Sequence, residues 1–277
     1  MSAEGRLSAD DAGSIAKRAC RHDCLWYHGF WPHLRQLGLG TAPEDHASFY
    51  TAGLDERSVA GGSTRVLVCG TADSAMPCLA YRTLSDLGCQ AELVVLDRCV
   101  TPLVITREEF ALKGAAVTTV HGDALEAQFD QPFDVIVTHS ILGYFSESER
   151  EALFRRWSDW LRPEGRVLTV NRLRSSATEY VRFTHEEAEA FVGRVLKAIR
   201  RTPDVTQLPV EKVRALAWQY AEQFRIRPLT SLDKLAQQAQ AAGLTLETVP
   251  LGKVAHPGPS GPSVPGNAEY YGLVFHR

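Results

Sequence analysis

The sequence TRVLVCGTADSAMPCLAYRTLSDLGCQAELVVLD spans residues 64–97 and decides the fold. It begins with an apolar run at 66–68, breaks at Gly70, continues with helical spacing of apolar residues through Leu87, and ends in a second apolar run at Asp97. This pattern predicts a strand, a tight turn, a helix and a second strand, which together form one βαβ unit. In open α/β sheets, ligands bind beyond the carboxyl ends of the strands, where this turn and the acidic residue would meet. We therefore interpret residues 64–97 as part of a nucleotide-type cofactor site.

Composition restricts the class of protein. The 277 residues carry a net charge of −3, with 44% hydrophobic and 23% charged residues, which is typical of a globular protein with one substantial core. This charge does not favour a nucleic-acid-coating protein, and no apolar run approaches the length needed to span a membrane. The N-terminus is polar and acidic, unlike a signal peptide, and the six cysteines are dispersed. We expect a cytoplasmic protein with reduced thiols.

The chain divides into a core and three additional segments. We expect a disordered tail at 1–12, an aromatic N-terminal helical lid at 13–60, and an α/β core at 61–172 and 229–277. The segment 173–228 interrupts the strand–helix alternation with two helical patterns. It is too long for a simple connection, so we interpret it as an inserted helical substrate cap.

Strand and helix patterns alternate through the core. Alternation of this kind predicts a doubly wound parallel sheet, and a final pair of strands joined by a loop suggests a terminal hairpin. Ser146 with Glu149, and Thr184 with Glu187, are capping boxes that predict the starts of two helices. The predicted strands are 66–69, 91–97, 116–121, 133–139, 166–171, 244–251 and 269–276.

In their order, these features resemble the class I S-adenosylmethionine (SAM)-dependent methyltransferases. The motifs that carry the resemblance are the turn at Gly70, the acid Asp97, the Gly-Asp-Ala at 122–124, the fourth-strand segment 133–145, and the Pro-Glu-Gly turn at 163–165. The turn departs from the family pattern, because only one of three expected glycines is kept. The resemblance implies a Rossmann-like seven-stranded sheet whose last strand is antiparallel.

The resemblance also implies SAM as the cofactor and direct methyl transfer to an O, N or S nucleophile of a small metabolite, which we place in specialised metabolism. Asp97 would bind the ribose hydroxyls, and Asp123 the adenine amino group. The full set of cofactor-binding residues that it implies is Gly70, Thr71, Ala72, Asp73, Asp97, Arg98, Asp123, Ala124, Thr138 and His139.

Candidate catalytic residues follow the fourth strand. His139 lies where substrate would meet the methyl group, and an imidazole with a pKa near 6.5 suits a general base. The alternative interpretation is that His139 only lines the pocket. Tyr144 is a second candidate catalytic residue. Candidate substrate-binding residues are Trp26, Tyr27 and Trp31 of the lid and Asn171 and Arg172 after strand five; core packing and a solvated basic face are the competing interpretations.

Several alternatives were weighed. The run from Cys20 through His22 and Cys24 matches no common zinc spacing and lacks a downstream ligand pair, so we expect no metal. A dehydrogenase is disfavoured, because no lysine follows Tyr144 at position 148. A non-catalytic partner subunit, or a SAM-assisted rearrangement, remains open, while a protein or nucleic-acid substrate is disfavoured. The oligomeric state, a homodimer included, is also left open.

Overall fold

A computed structural model describes residues 6–21, 24–55, 62–174, 180–252, 261 and 269–277. Its α-helices are α1 (Ala9–Ala19), α2 (Leu25–His28), α3 (Trp31–Gln36), α4 (Ala47–Asp55), α5 (Ala75–Asp86), α6 (Val100–Leu112), α7 (Glu147–Trp160), α8 (His185–Arg201), α9 (Val210–Gln223) and α10 (Leu232–Ala241). Its strands are β1 (Ser63–Cys69), β2 (Gln90–Asp97), β3 (Thr118–His121), β4 (Phe133–His139), β5 (Leu161–Leu173), β6 (Thr245–Gly252) and β7 (Glu269–His276).

The strands form one seven-stranded sheet in the order β3-β2-β1-β4-β5-β7-β6. The pairs among β1 to β5 are parallel, whereas β7 runs antiparallel to both β5 and β6. The predicted doubly wound sheet with an antiparallel last strand is therefore confirmed. The strand order reverses between β1 and β4, which places a crevice at their carboxyl ends.

Helices cover both faces of the sheet. Apolar side chains of α4, α5 and α6 pack on one face, around residues such as Val68 and Val137. Those of α7 and α10 pack on the other face, around Leu67 and Ile136. Because side chains alternate along a strand, both faces of the central strands are apolar, as expected for a covered parallel sheet.

Several predicted boundaries differ from the structure. The segment 9–12, expected to be disordered, is the first turn of α1, because the Ser8 hydroxyl accepts a hydrogen bond from the Asp11 N–H and caps the helix. Residues 6–8 of that expected tail precede the helix, and residues 1–5 lie outside the described residues. β5 begins at Leu161 rather than 166, since the strand continues around the Pro-Glu-Gly turn, where Glu164 has a φ of 64°. Pro32 lies in the first turn of α3, where its missing N–H costs no helical hydrogen bond.

The aromatic lid and the inserted segment form a single unit. Phe30, Trp31 and Leu34 pack against apolar residues of α8 and α9, including Phe191 and Tyr220. We call α2, α3, α8 and α9 together the aromatic cap. The described residues include no helix long and apolar enough to cross a membrane.

Candidate active site

A cavity of about 390 Å³ lies at the carboxyl ends of β1, β2, β3 and β4. Its volume is within the range of small-molecule sites. Apolar side chains of Leu96, Leu125, Ile141 and Phe145 form part of its wall. The predicted residues that line it are Trp26, Tyr27, Gly70, Thr71, Ala72, Asp97, Arg98, Asp123, Ala124, His139 and Tyr144.

The turn after β1 brings backbone close to this cavity. Gly70 has a φ of 75°, a conformation that side chains rarely adopt, and a Cβ there would overlap the Ile141 side chain. The single retained glycine is thus the one that the turn requires. The Thr71 N–H donates to Asp97 Oδ2 over 2.9 Å, and the Cys99 N–H donates to Asp97 Oδ1 over 2.7 Å.

These two hydrogen bonds fix the Asp97 carboxylate at the cavity wall. Burial raises its pKa, while the two backbone N–H groups favour the ionised form. Each carboxylate oxygen has a further lone pair, so the group can still accept hydrogen bonds from a ligand diol. Asp123 is held similarly, since its Oδ1 accepts from the Leu125 N–H over 2.8 Å.

Asp73 is not at the main cavity. Its Oδ2 accepts from Arg35 Nη1 over 2.7 Å and from Trp31 Nε1 over 3.2 Å, and its Oδ1 accepts from the Ala75 N–H over 2.8 Å. This ion pair joins the turn to α3. It lies beside a smaller cavity of about 80 Å³ that shares Gly70, Thr71, Ala72 and His139 with the main one.

Thr138 does not line any of these cavities. Successive residues of a strand point to opposite faces of the sheet. His139 points to the cavities, so Thr138 points to the other face of β4, with Ile136, and is fully buried there. The Thr138 carbonyl instead accepts a hydrogen bond over 2.8 Å from the Tyr50 hydroxyl. The placement of Thr138 among the cofactor-binding residues is therefore not supported.

Tyr50 fixes the His139 ring. Its hydroxyl also accepts from the Val170 N–H over 3.1 Å and lies 3.0 Å from His139 Nδ1. Since the hydroxyl proton is used on the Thr138 carbonyl, Nδ1 must carry a proton and donate it to Tyr50. His139 Nε2 then presents a lone pair, and it is buried with no hydrogen-bond partner among the described residues.

The electrostatics of His139 differ from the sequence prediction. Burial, followed by the neighbouring His46, lowers its pKa to about 3. The imidazole is therefore neutral at physiological pH. A base with this pKa does not retain a proton near pH 7, so the premise of a pKa near 6.5 does not hold.

A second cleft, of about 120 Å³, lies on the other side of Tyr144. It contains Arg172, Arg174 and Arg227, together with aromatic rings, and includes no carboxylate among its described lining residues. Tyr144 lines all three spaces, and desolvation of its hydroxyl raises its pKa to about 12. It therefore remains a protonated donor at their junction.

The predicted substrate residues meet around this second cleft. Tyr27 and Trp31 stack with ring centroids 5.4 Å apart, and both line the cleft, whereas Trp26 lines the main cavity. The Arg172 guanidinium lies 5.7 Å from the ring centre of Tyr270. Asn171 also lines the cleft, but its amide is engaged in binding Leu142 N–H and Thr169 Oγ1.

Backbone strain marks the same place. Ser140, directly after His139, has a φ of 55°, and its N–H donates to the Val170 carbonyl over 2.8 Å. A non-glycine residue in this conformation costs free energy and is typical of functional sites. It directs the chain into the short turn Leu142–Tyr144, which carries Tyr144 to the junction.

Three thiols meet at one edge of the main cavity. Cys20 and Cys24 of the lid both contact Cys99, which follows Asp97. The pKa of Cys99 is lowered because its thiolate accepts a hydrogen bond from Cys20 and lies beside His28, and the pKa of Cys20 is raised in turn. This cluster was not predicted from the sequence, because Cys99 lies far from the other two cysteines in the chain.

Several further residues escaped the sequence analysis. Tyr50, Arg35 and Tyr220 had only a helical, core-like pattern to identify them. Arg227 and Tyr270 carried no local motif, and only their position near strand ends could have suggested them.

Comparison with known proteins agrees with this architecture. Residues 67–165 match the family model described as a methyltransferase domain, and no curated protein matches the chain. The solved structure of the SAM-dependent methyltransferase SibL, in its apo form, has a TM-score of 0.53 at 17% identity, covering 96% of this chain and 61% of SibL. The chain thus spans about three fifths of the length of SibL.

Two further structures show the same fold. A putative O-methyltransferase from Nostoc punctiforme PCC 73102 has a TM-score of 0.51 at 13% identity, covering 97% of this chain and 67% of its own. The glycopeptide N-methyltransferase MtfA, complexed with S-adenosylhomocysteine, has a TM-score of 0.51 at 15% identity, and the match covers 85% of this chain and 90% of MtfA. Residues 67–165 therefore match a methyltransferase domain, and the chain has the fold of the class I SAM-dependent methyltransferases.

Proposed function

We propose that this chain is a SAM-dependent methyltransferase that modifies a small, flat, anionic metabolite. The observation that carries the cofactor assignment is the fixed Asp97 carboxylate facing a cavity beside the Gly70 turn. When bound, SAM supplies an electrophilic methyl group on a sulfonium. Its structural relatives include both O- and N-methyltransferases by name, so fold alone does not select the acceptor atom.

The residues present fit the three parts of this cofactor. Asp97 accepts hydrogen bonds from the ribose hydroxyls, and Asp123 with the apolar wall receives the adenine. The smaller cavity, where Arg35 and Asp73 provide one charge of each sign, receives the zwitterionic methionine portion. Each group is held by hydrogen bonds before a ligand arrives, which reduces the free energy of ordering on binding.

The second cleft supports the choice of acceptor. Three arginines line this cleft, and none of its described lining residues is a carboxylate. This positive lining favours an anion, since a guanidinium binds carboxylate or phosphate in a bidentate manner. Burial, followed by Arg172, lowers the pKa of Arg174 only to about 10, so it remains charged at neutral pH. Tyr27, Trp31 and Tyr220 favour a planar, aromatic body.

His139 orients the acceptor in this proposal. Its bare Nε2 accepts a hydrogen bond from the acceptor hydroxyl or amine, and Tyr144 donates to the same region. Positioning of the acceptor lone pair supplies much of the rate in methyl transfer. The low pKa of His139 means that a proton released by the acceptor passes on to solvent rather than remaining on the ring.

Calorimetry with SAM and S-adenosylhomocysteine tests the cofactor assignment. The Asp97→Ala variant should lose at least tenfold in affinity, because both ribose hydroxyls lose their acceptor. Asp86→Ala, at the exposed end of α5, is the matched control and should bind normally. Absence of binding to the unmodified chain at millimolar concentration would refute the cofactor assignment.

Paired acceptors test the substrate class. Aromatic carboxylic acids and their primary amides differ in charge but little in shape, so the acids should be methylated preferentially. Arg172→Met should raise KM for the acids at least tenfold, whereas Arg200→Met, on the exposed side of α8, should not. Equal turnover of acids and amides would show that the arginines do not select an anion.

We also propose a cytoplasmic location and a role in specialised metabolism. None of the six cysteines is in a disulfide, a state that a reducing compartment maintains. Fractionation of the producing cells, and comparison of metabolites with and without the gene, test these two statements.

A further inference from the structure

Cys20, Cys24 and Cys99 place their sulfur atoms around one point at the edge of the main cavity. Cys24 Sγ lies 3.5 Å from Cys99 Sγ, and Cys20 Sγ lies 3.7 Å from Cys99 Sγ. All three sulfur atoms lie within 4.8 Å of one another. The cluster joins the C-terminus of α1 and the N-terminus of α2 to the loop between β2 and α6.

These separations match the edge of a metal-centred tetrahedron. A zinc–thiolate bond is about 2.3 Å long, and two ligands at tetrahedral angles are then about 3.8 Å apart. The two observed distances to Cys99 are within about 0.3 Å of this value.

His28 lies beside one of the three sulfur atoms. It ends the short helix α2, and its imidazole contacts the Cys99 thiol. The side chain is only 7% exposed, and Nδ1 has no hydrogen-bond partner among the described residues. Its ring nitrogens are not within 4.8 Å of all three sulfur atoms, so His28 becomes a fourth ligand only if its ring turns towards the cluster.

The surroundings of the cluster provide the secondary contacts that metal ligands need. The buried Thr101 hydroxyl lies 2.9 Å from Cys20 Sγ and can donate to it as a thiolate. The Cys99 N–H is fixed on the Asp97 carboxylate. Soft thiolates with one imidazole select zinc over magnesium or calcium.

We propose that Cys20, Cys24 and Cys99 hold one structural zinc ion, with His28 as the fourth ligand after a turn of its ring, and that this ion fastens the N-terminal lid to the loop that follows Asp97. The ion connects residues about 80 apart in the chain. It therefore stabilises the closed arrangement of the lid over the cofactor cavity.

Metal analysis of the full chain, purified without a histidine tag in reducing buffer, tests the proposal. Elemental mass spectrometry should find about one zinc per chain. Cys99→Ser should reduce this to less than about 0.2, with Cys24→Ser as a second variant in case the first fails to fold. Cys78→Ser, a half-buried cysteine outside the cluster, is the matched control and should retain the ion.

Cobalt substitution adds a readout of geometry. The Co²⁺-loaded chain should show thiolate charge-transfer absorption and intense tetrahedral d–d bands, both lost in Cys99→Ser. A chelator should lower the melting temperature of the unsubstituted protein and of Cys78→Ser, but not of Cys99→Ser. A metal-free protein with three titratable thiols, or with a disulfide between Cys99 and Cys20 or Cys24, would overturn the proposal.

Discussion

Replacing Tyr50 by phenylalanine removes a single oxygen atom from the centre of the candidate site. That oxygen donates to the Thr138 carbonyl and accepts from the Val170 N–H and from His139 Nδ1. It thereby bridges β4 and β5 at the ends where the site begins. The ring itself is fully buried in the core and should remain packed.

The expected cost follows from the groups left without a partner. A buried donor or acceptor that loses its only partner costs about 1–3 kcal/mol. Among the described residues, His139 Nδ1 bonds Tyr50 alone, whereas the Thr138 carbonyl and the Val170 N–H also belong to the β4–β5 ladder and lose only part of their bonding. We therefore expect the free energy of unfolding to decrease by about 2 kcal/mol. For a chain of this size this corresponds to a melting temperature lower by roughly 4–8 °C.

Urea unfolding followed by tryptophan fluorescence measures this change. Tyr81→Phe is the control, since Tyr81 packs edge-on against Phe110 and no hydrogen bond to its hydroxyl is found among the described residues. Nitrogen-15 spectra of His139 should show the Nδ1–H tautomer in the unsubstituted protein and a mixture in Tyr50→Phe. If Tyr50→Phe loses no more stability than Tyr81→Phe, and the tautomer is unchanged, the bridging role is refuted.

Three other predictions concern the same region. Gly70→Ala places a side chain at a residue with a positive φ and against Ile141, so it should lower the free energy of unfolding by about 1–2 kcal/mol and weaken S-adenosylhomocysteine binding in calorimetry. Adding Ile141→Val removes the steric overlap and should recover only part of the lost stability. Full recovery would contradict the role of backbone strain. The folded-state pKa of His139 is about 3 against about 6.5 when unfolded, so stability is complete above pH 6.5 and decreases by up to about 1.4 kcal/mol per pH unit towards pH 3. His139→Asn should therefore lose about 2 kcal/mol less than the unsubstituted protein between pH 7 and pH 5, and equal losses in urea unfolding would contradict it. Asp73→Asn removes one of the two carboxylates that bind the buried Arg35 guanidinium and leaves Glu44, so it should cost about 2 kcal/mol. A second change, Arg35→Met, should restore part of this loss in a double-mutant cycle, and strict additivity would show that Arg35 and Asp73 do not interact.

Local pattern was sufficient for much of the sheet. The bounds of β4 and β7 were predicted to the residue, and the capping boxes at Ser146 and Thr184 open α7 and α8 as expected. These features depend on periodicity and on hydrogen bonds within four residues. The observed length of β5 was not predicted, because a strand that continues around a positive-φ residue has no local signature.

Contacts between distant segments could not be predicted in this way. Tyr50 and His139 are 89 residues apart, and Arg35 and Asp73 are 38 apart, yet each pair decides the charge state or position of a site residue. The low pKa of His139 also depends on distant segments, because other parts of the chain bury its imidazole. The aromatic residues of the lid indicated burial, but their pattern could not name α8 and α9 as the partner.

The shared core of the aromatic cap also affects how the chain is made. Trp31 packs with Val213 and Tyr220, which are synthesised about 180 residues later. At roughly 5–20 residues per second, the ribosome needs about 10–40 seconds to cover that interval. During this time α2 and α3 present their aromatic side chains without the surface that covers them. The aromatic cap is thus completed only after α9 has been synthesised, and until then α2 and α3 are exposed to aggregation and to chaperones.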